Sequence, residues 1–182
     1  MQKLWRFVGF DDSFKSLSCK KAHLVGCITA GCRVEGFLYT EIEVDGLDVT
    51  EKIVKLINSS KYYRQVKCIM LYGITFAGMN IADIVEIFNL TGKPVLTLAK
   101  KYTKSLKKPA EKAGKADIRM KILKKAGNPI NIDGIKVQIA GCTLKDAEEY
   151  IRISRCNGKI PECLRVAHLV ASAIAHGESK KV

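Results

Sequence analysis

The stretch VKCIMLYGITFAGMNIADIVEIFNLTGKPVLTLA, residues 66–99, decides the fold. Residues 66–72 are almost wholly apolar, which predicts a strand covered on both faces of a sheet. A helix over about residues 80–90 follows and ends at Gly92. Residues 94–99 predict a second buried strand. A strand, a helix and a strand in this order predict a right-handed parallel crossover.

Three predicted strands precede this unit, over residues 4–10, 22–29 and 34–44. The third alternates apolar residues with glutamates, which is typical of a strand with one buried and one polar face. Gly31 turns the chain between the second and the third strand, so we expect the three to form an antiparallel meander. A helix with one apolar side then leads to the crossover.

The residues after the crossover predict further helices and one hairpin. Residues 100–125 are basic and predict two helices around Gly114. Residues 130–137 predict a hairpin, because an Asp-Gly turn interrupts them. Residues 143–155 and 161–177 predict two more helices, the second of which begins with a proline.

These elements predict one α/β domain over residues 1–182. Its mixed sheet has three antiparallel strands followed by parallel βαβ units, with helices on both faces. The element order fits the ribonuclease H-like fold. In that fold a carboxylate at the end of the first strand lies at the centre of the sheet.

The composition narrows the class of function. Of the 182 residues 47% are hydrophobic, and the net charge is +13. No apolar run is long enough to span a bilayer, and the first six residues lack the features of a signal peptide. We therefore expect a cytoplasmic protein without a membrane partner. The basic excess favours nucleic acid as a partner, although solubility alone also accounts for it.

Seven cysteines occur, an odd number, and no pair has the CxxC spacing of a zinc or redox site. Most of them fall in apolar segments, where a free cysteine acts as a small hydrophobic residue. We expect them to be reduced, and we expect neither a disulfide nor a zinc site.

Two adjacent carboxylates, Asp11 and Asp12, end the first predicted strand. Their oxygens are suitable ligands for a hard divalent cation, and only one of the two points to a given face. A strand-end turn, in which they bond the local backbone, is an equal alternative. Asp48 has capping-box spacing with Glu51, and Asp45 precedes a glycine, as turn residues often do.

The last predicted helix carries a polar stripe on an otherwise apolar surface: Arg165, His168, Ser172 and His176. Such a stripe faces either a cleft, where its chemistry is useful, or bulk water. The spacing does not choose between the two. The apolar character of the other sides slightly favours a cleft.

Three segments resemble endonuclease V and occur in that family's order. Residues 7–13, FVGFDDS, resemble its first strand, which carries a metal-binding aspartate. Residues 93–101, KPVLTLAKK, resemble its Pro-x-Ile-Gly-Val-Ala-Lys strand. Residues 160–169, IPECLRVAHL, are similar to its terminal Pro-Glu-Pro-Thr-Arg-Leu-Ala-His segment, whose histidine belongs to the active site.

The whole chain resembles still more a mostly archaeal family related to endonuclease V, the domain of unknown function ninety-nine. The shared pattern includes residues 9–12, GFDD, residues 44–50, VDGLDVT, and the LRVAH run. This resemblance implies an endonuclease V-like fold and carries no established activity.

The chain departs from endonuclease V between these segments. Tyr72 stands before Gly73, where that enzyme has its second aspartate. The segment that carries its catalytic glutamate corresponds to residues 46–52, with an acid at a different offset. Residues 43–45 replace its strand-parting Pro-Tyr-Ile-Pro wedge. The resemblance therefore does not imply recognition of deaminated bases.

The first hypothesis is a nucleic-acid-associated protein that acts, if it is an enzyme, as a metal-dependent phosphodiester hydrolase. In this hypothesis Asp11, which the resemblance marks as a metal ligand, holds Mg²⁺ or Mn²⁺ with help from Asp45 or Asp48. His168, which the resemblance places in the active site, orients or protonates a group near the scissile phosphate in this hypothesis.

Phosphate contacts in this hypothesis come from Lys100, Lys101 and Arg165, and from the basic stretch of residues 100–125. Two alternatives stay open. One is a non-catalytic nucleic-acid-binding module that lacks the metal site. The other is a hydrolase or binding protein for a small phosphate-containing ligand.

Overall fold

The computed structural model describes residues 4–100 and 105–179. Within these residues the strands are Arg6–Ser13 (β1), Lys21–Ala30 (β2), Arg33–Glu43 (β3), Val66–Leu71 (β4), Thr75–Phe76 (β5), Asn80–Ile81 (β6), Val95–Ala99 (β7), Ile130–Ile132 (β8) and Ile135–Ala140 (β9). The helices are Val49–Asn58 (α1), Ile84–Thr91 (α2), Lys107–Ala113 (α3), Ala116–Ala126 (α4), Leu144–Ser154 (α5) and Glu162–His176 (α6).

Seven strands form one mixed sheet in the order β3-β2-β1-β4-β7-β9-β8. β1, β2 and β3 pair as an antiparallel meander, and β4 and β7 follow in parallel. β9 returns antiparallel to β7. The predicted fold class, with its meander and its parallel crossover, is confirmed. Because β1 lies between β2 and β4, its carboxyl end opens onto the middle of the sheet.

Helices cover both faces of this sheet. Val8 and Phe10 of β1 pack with α1 and α2 on one face, whereas Phe7 packs with α5 and α6 on the other. This alternation follows from the two-residue period of a strand, and each fully buried side chain of this size contributes roughly 1.5–3 kcal/mol. None of the helices in the described ranges is long and apolar enough to cross a membrane.

Local interactions move several predicted boundaries. β1 continues to Ser13, so its last three residues are part of the sheet. The short hairpin β5–β6 occupies the residues before α2, which begins at Ile84. Asp83 is the N-cap of α2 and accepts a hydrogen bond from the Glu86 N–H. Pro161 lies one residue before α6, at its N-cap position.

The expectation that the cysteines are reduced was wrong for one pair. Cys32, in the β2–β3 turn, forms a disulfide with Cys156, in the loop between α5 and α6. Their Cα atoms lie 5.7 Å apart although 124 residues separate them in the sequence. The fold brings them together, and sequence spacing carries no sign of the pairing.

Candidate functional site

Asp11 and His168 form the centre of the candidate site. Asp11 is the sixth residue of β1, and His168 lies on α6, which packs over β1. The His168 Nδ1 and the Asp11 Oδ2 are 2.7 Å apart, so the imidazole donates a short hydrogen bond to the carboxylate. Asp11 is only 7% exposed, whereas His168 is half-buried.

Gly9 allows this contact by letting the backbone of α6 approach β1. A Cβ at this position would lie 2.5 Å from the Cys163 carbonyl carbon and 2.6 Å from the Leu164 amide nitrogen. Gly9 and Asp11 lie on the same face of β1, two residues apart, so the helix packs closely at Gly9 and the carboxylate of Asp11 follows beside it.

Tyr72, which the sequence resemblance sets against an aspartate of endonuclease V, lies beside Asp11 and His168. Its backbone N–H donates to the Phe10 carbonyl at 3.0 Å, which holds it beside the end of β1. Its ring stacks on the His168 ring, with centroids 5.7 Å apart and an interplanar angle of 28°. Burial raises the pKa of Tyr72, and the charge of Asp11 adds to the effect. The stacked Tyr72 ring thus restricts the orientation of the His168 ring.

The protonation of the pair follows from its surroundings. The hydrogen bond to Asp11 raises the pKa of His168, against burial and the charge of Lys100. Burial raises the pKa of Asp11, against the hydrogen bond with His168. The two groups therefore hold a shared proton more firmly than either would hold one in water.

Asp12 points to the opposite face from Asp11, as the alternation of a strand requires. Its Oδ2 accepts a hydrogen bond from the Ala77 N–H at 2.9 Å. Burial raises the pKa of Asp12 to about 7, and the charge of Asp11 contributes to the shift. Asp12 thus anchors the loop between β5 and β6 beneath the site.

Asp45 and Asp48, the other predicted metal ligands, do not join Asp11. The Asp45 Oδ1 accepts the Met79 N–H at 2.8 Å. The Asp48 Oδ1 accepts from the Asn80 Nδ2 at 2.7 Å, and its side chain makes no capping bond to α1. Both carboxylates hold the β5–β6 loop. In residues 4–100 and 105–179, no three histidine, cysteine or acidic side chains gather in a way that could hold a metal ion.

A magnesium ion fits this site only if the substrate and water supply most of its ligands. Mg²⁺ in phosphoryl-transfer sites is commonly held by one or two carboxylates, several waters and the phosphates of the substrate. Asp11 supplies one such carboxylate. Burial raises the pKa of Asp11, so this carboxylate must give up its proton before it can bind a metal ion.

A basic cavity of about 350 Å³ reaches Arg165, which lies one helical turn before His168 on α6. Lys100 and Arg165 line it, together with residues 157–160 of the α5–α6 loop. Arg165 donates two hydrogen bonds to Glu162, at 2.8 and 2.6 Å, so its charge is largely neutralised. Lys101, the third predicted phosphate contact, lies outside the described residues.

The lysines of α3 and α4 are exposed, which agrees with the expected solvated helix faces. Arg119 is the exception, because its side chain is buried in the protein and only 2% exposed. It donates hydrogen bonds to the carbonyls of Gly114, Gly46, Met79 and Asp45. The prediction that Arg119 belongs to the binding surface is corrected, since it ties α4 to the loops that carry Asp45 and Met79.

The model of the endonuclease dU family matches residues 3–175. The chain belongs to the endonuclease dU family. Its relatives include the UPF0215 protein of Archaeoglobus fulgidus, 42% identical over 180 residues with 98% of each chain covered. The UPF0215 protein of Methanosarcina acetivorans is 38% identical over 184 residues, covering 96% of this chain and 93% of the relative. The predicted membership of an archaeal family related to endonuclease V is confirmed.

Solved structures place the endonuclease dU family beside endonuclease V. A protein of unknown function from Archaeoglobus fulgidus superposes with a TM-score of 0.88 at 41% identity, covering 95% of this chain and 99% of that one. Ciona intestinalis endonuclease V, solved with DNA containing an inosine followed by a ribo-adenosine, gives 0.65 at 15% identity, covering 96% and 87%. Human ENDOV gives 0.64 at 14%, covering 96% and 85%. At these identities the likeness to endonuclease V shows the fold alone.

Proposed function

We propose that this endonuclease dU family member hydrolyses a phosphodiester bond in DNA that contains deoxyuridine. The observation that carries the proposal is the contact between Asp11 and His168 at the open centre of an endonuclease V-like sheet. The name of the family supplies the deoxyuridine. No base specificity is carried over from endonuclease V, because this chain lacks the wedge segment of that enzyme.

His168 acts as the general acid in this proposal. Its Nδ1 is engaged with Asp11, which leaves Nε2 to face the substrate. Because the pKa of His168 is raised, the imidazolium is available near neutral pH to protonate the leaving oxygen at Nε2. The Asp11 carboxylate and the Tyr72 ring fix the plane of the imidazole. When bound, Mg²⁺ at Asp11 would polarise the phosphoryl oxygen and lower the pKa of water.

The test is the cleavage of end-labelled oligonucleotides, single-stranded and duplex, that contain one deoxyuridine, with thymidine and inosine at the same position as comparisons. Each is incubated with Mg²⁺, with Mn²⁺ or with EDTA. We expect metal-dependent cutting that prefers deoxyuridine. His168→Gln is expected to lower the rate by about 10²- to 10⁴-fold, the usual contribution of a general acid. Asp11→Asn is expected to abolish cutting.

The matched control is His176→Gln, which changes another partly buried histidine of α6. This variant should cut at the native rate. Equal cutting of thymidine DNA, or cutting that survives Asp11→Asn, would exclude the proposal.

A non-catalytic nucleic-acid-binding module is the second candidate function. The observation in its favour is Tyr72, which the sequence resemblance sets against an endonuclease V carboxylate and which stacks on His168. The same oligonucleotides distinguish the two candidates. Tight binding by the native chain and by Asp11→Asn, without cutting under any metal condition, would favour the module.

A further inference from the structure

The basic cavity has a third cationic side chain besides Lys100 and Arg165, and no sequence motif marks it. Lys159 lines it together with Lys100, and residues 157 and 158 also belong to its wall. We propose that this cavity binds the phosphate next to the scissile one in a DNA strand, and that Lys159, rather than Arg165, is the main cation of this subsite. DNA as the source of that phosphate rests on the proposed function.

The ion pairs around the cavity favour the two lysines over Arg165 as phosphate ligands. Arg165 already donates to both carboxylate oxygens of Glu162, so the Arg165–Glu162 pair adds little net charge to the cavity. No salt bridge to Lys100 or Lys159 is found among residues 4–100 and 105–179, and both side chains belong to exposed residues. An anion in the cavity is therefore within reach of two lysine side chains that form no salt bridge, and of one neutralised guanidinium.

The position of Lys159 is fixed by its own loop. Arg155, at the end of α5, donates from Nε to the Lys159 carbonyl and from Nη1 to Asp133 at 2.9 Å. The neighbouring Cys156 is tied to Cys32 by the disulfide. These bonds hold the backbone from which the Lys159 side chain extends, so ordering the loop adds little to the entropy cost of binding.

The distance to the reacting pair suits adjacent phosphates. Arg165, on the rim of the cavity, is one helical turn before His168, and residues three apart on a helix have Cβ atoms about 5–6 Å apart. Lys100 lies near enough to oppose, by its charge, the rise in the pKa of His168 that the hydrogen bond to Asp11 causes. One strand of B-DNA advances about 3.4 Å per nucleotide along its axis. A separation of about one helical turn corresponds to one or two nucleotides, so the subsite is assigned to a phosphate next to the one at His168.

The cavity is also large enough for more than an ion. Ligand pockets begin at about 300 Å³, so a volume of about 350 Å³ accommodates a phosphate with part of its nucleotide. Gly158 has a φ of 102°, and nothing lies within 4 Å of the place where its Cβ would be. The backbone of this wall is therefore open to the ligand.

The experiment is equilibrium binding of a labelled single-stranded DNA in EDTA, measured by fluorescence anisotropy across a salt series. For single strands, the slope of log affinity against log salt changes by about 0.7 for each phosphate contact. We expect Lys159→Gln to make the slope shallower by about this amount and to weaken low-salt binding roughly fivefold, as for one exposed ion pair. Lys159→Arg, which keeps the charge, should retain the native slope.

Lys55→Gln is the matched control, because it removes the same charge from an exposed residue of α1, on the other face of the sheet. If Lys159→Gln and Lys55→Gln give the same slope, the subsite is refuted. A deoxynucleoside monophosphate tested alone provides a further arm. If it binds more tightly than the strand and depends on Lys159, the ligand is a small phosphate compound and the DNA assignment falls.

The readout separates the subsite from the proposed function, since EDTA removes any metal-dependent cutting. An unchanged slope together with deoxyuridine-dependent cleavage would refute the subsite alone. A shallower slope without cleavage under any metal condition would refute the proposed function alone.

Discussion

Replacing Gly9 with alanine tests whether the close approach of α6 to β1 builds the site. The new Cβ would lie 2.5 Å from the Cys163 carbonyl carbon, whereas ordinary contact begins at 3.4 Å. The difference of about 0.9 Å must come from backbone movement, because no side chain can rotate out of the way. Overpacking of this kind costs roughly 1–3 kcal/mol of unfolding free energy.

The same shift acts on the reacting pair, since Asp11 is on the moved strand and His168 on the moved helix. If α6 lifts by about 0.9 Å, the 2.7 Å hydrogen bond lengthens to about 3.6 Å and ceases to be one. We therefore expect the pKa of His168 to fall from its raised value towards the ordinary 6.5, because the hydrogen bond to Asp11 is the main cause of the rise. Urea denaturation measures the stability, and an NMR titration of the histidine rings measures the pKa.

Gly36→Ala is the control, because it also adds a Cβ to a strand glycine. Its nearest neighbour is the Tyr62 hydroxyl at 2.6 Å, the tip of a side chain that can rotate. The variant should lose about 1 kcal/mol with the hydrogen bond from Tyr62 to the Glu35 carbonyl, and leave the pKa of His168 unchanged. If Gly9→Ala matches the native protein in stability and in the pKa of His168, the close approach does not set the site.

Three further changes have directions fixed by the structure. Cys32→Ser removes the disulfide to Cys156, and the loop-closure entropy for a separation of 124 residues predicts a loss of up to about 5 kcal/mol of unfolding free energy. If the native protein melts at the same temperature with and without reductant, this prediction is wrong. Arg119→Met leaves four carbonyls without their donor and should cost at least about 3 kcal/mol in urea denaturation, whereas a loss below 1 kcal/mol would show that water replaces it. The folded pKa of Asp12, about 7, exceeds its ordinary 3.8, so this group stabilises the fold fully below pH 4 and that contribution is lost as the pH rises to 7. Asp12→Asn should therefore lose less stability than the native protein across that interval, and parallel curves would refute the assignment.

The order of strands and helices could be predicted because periodicity and turn residues are local. The apolar run of residues 66–72 and the alternation in residues 34–44 are patterns among neighbouring residues. Both segments form strands of the sheet, as predicted. The hairpin β5–β6 escaped prediction because strands of two residues have no period to detect. The Cys32–Cys156 disulfide escaped because a separation of 124 residues gives no spacing signal.

The residues of the candidate site also divide into those that a local motif marks and those that only the fold reveals. Asp11 and His168 were singled out by short motifs, and the fold places them in contact. Asp48 showed capping-box spacing with Glu51, yet its carboxylate bonds Asn80, a partner 32 residues away. Arg119 sits in a basic run that indicates a solvated surface, and only the tertiary packing of α4 shows that it is buried. Partners that are distant in sequence decide these roles, and no local pattern contains them.

The positions of the acids bear on how the proposed cleavage would work. Two-metal hydrolysis needs several carboxylates that converge before the substrate arrives. In this chain Asp11 faces His168, while the other carboxylates of the region, those of Asp12, Asp45 and Asp48, hold the β5–β6 loop. Under the proposed function, the substrate phosphates must supply the remaining oxygen ligands of any Mg²⁺. Metal affinity should then be weak without DNA and rise when DNA binds, which ties the chemistry to occupancy of the basic cavity.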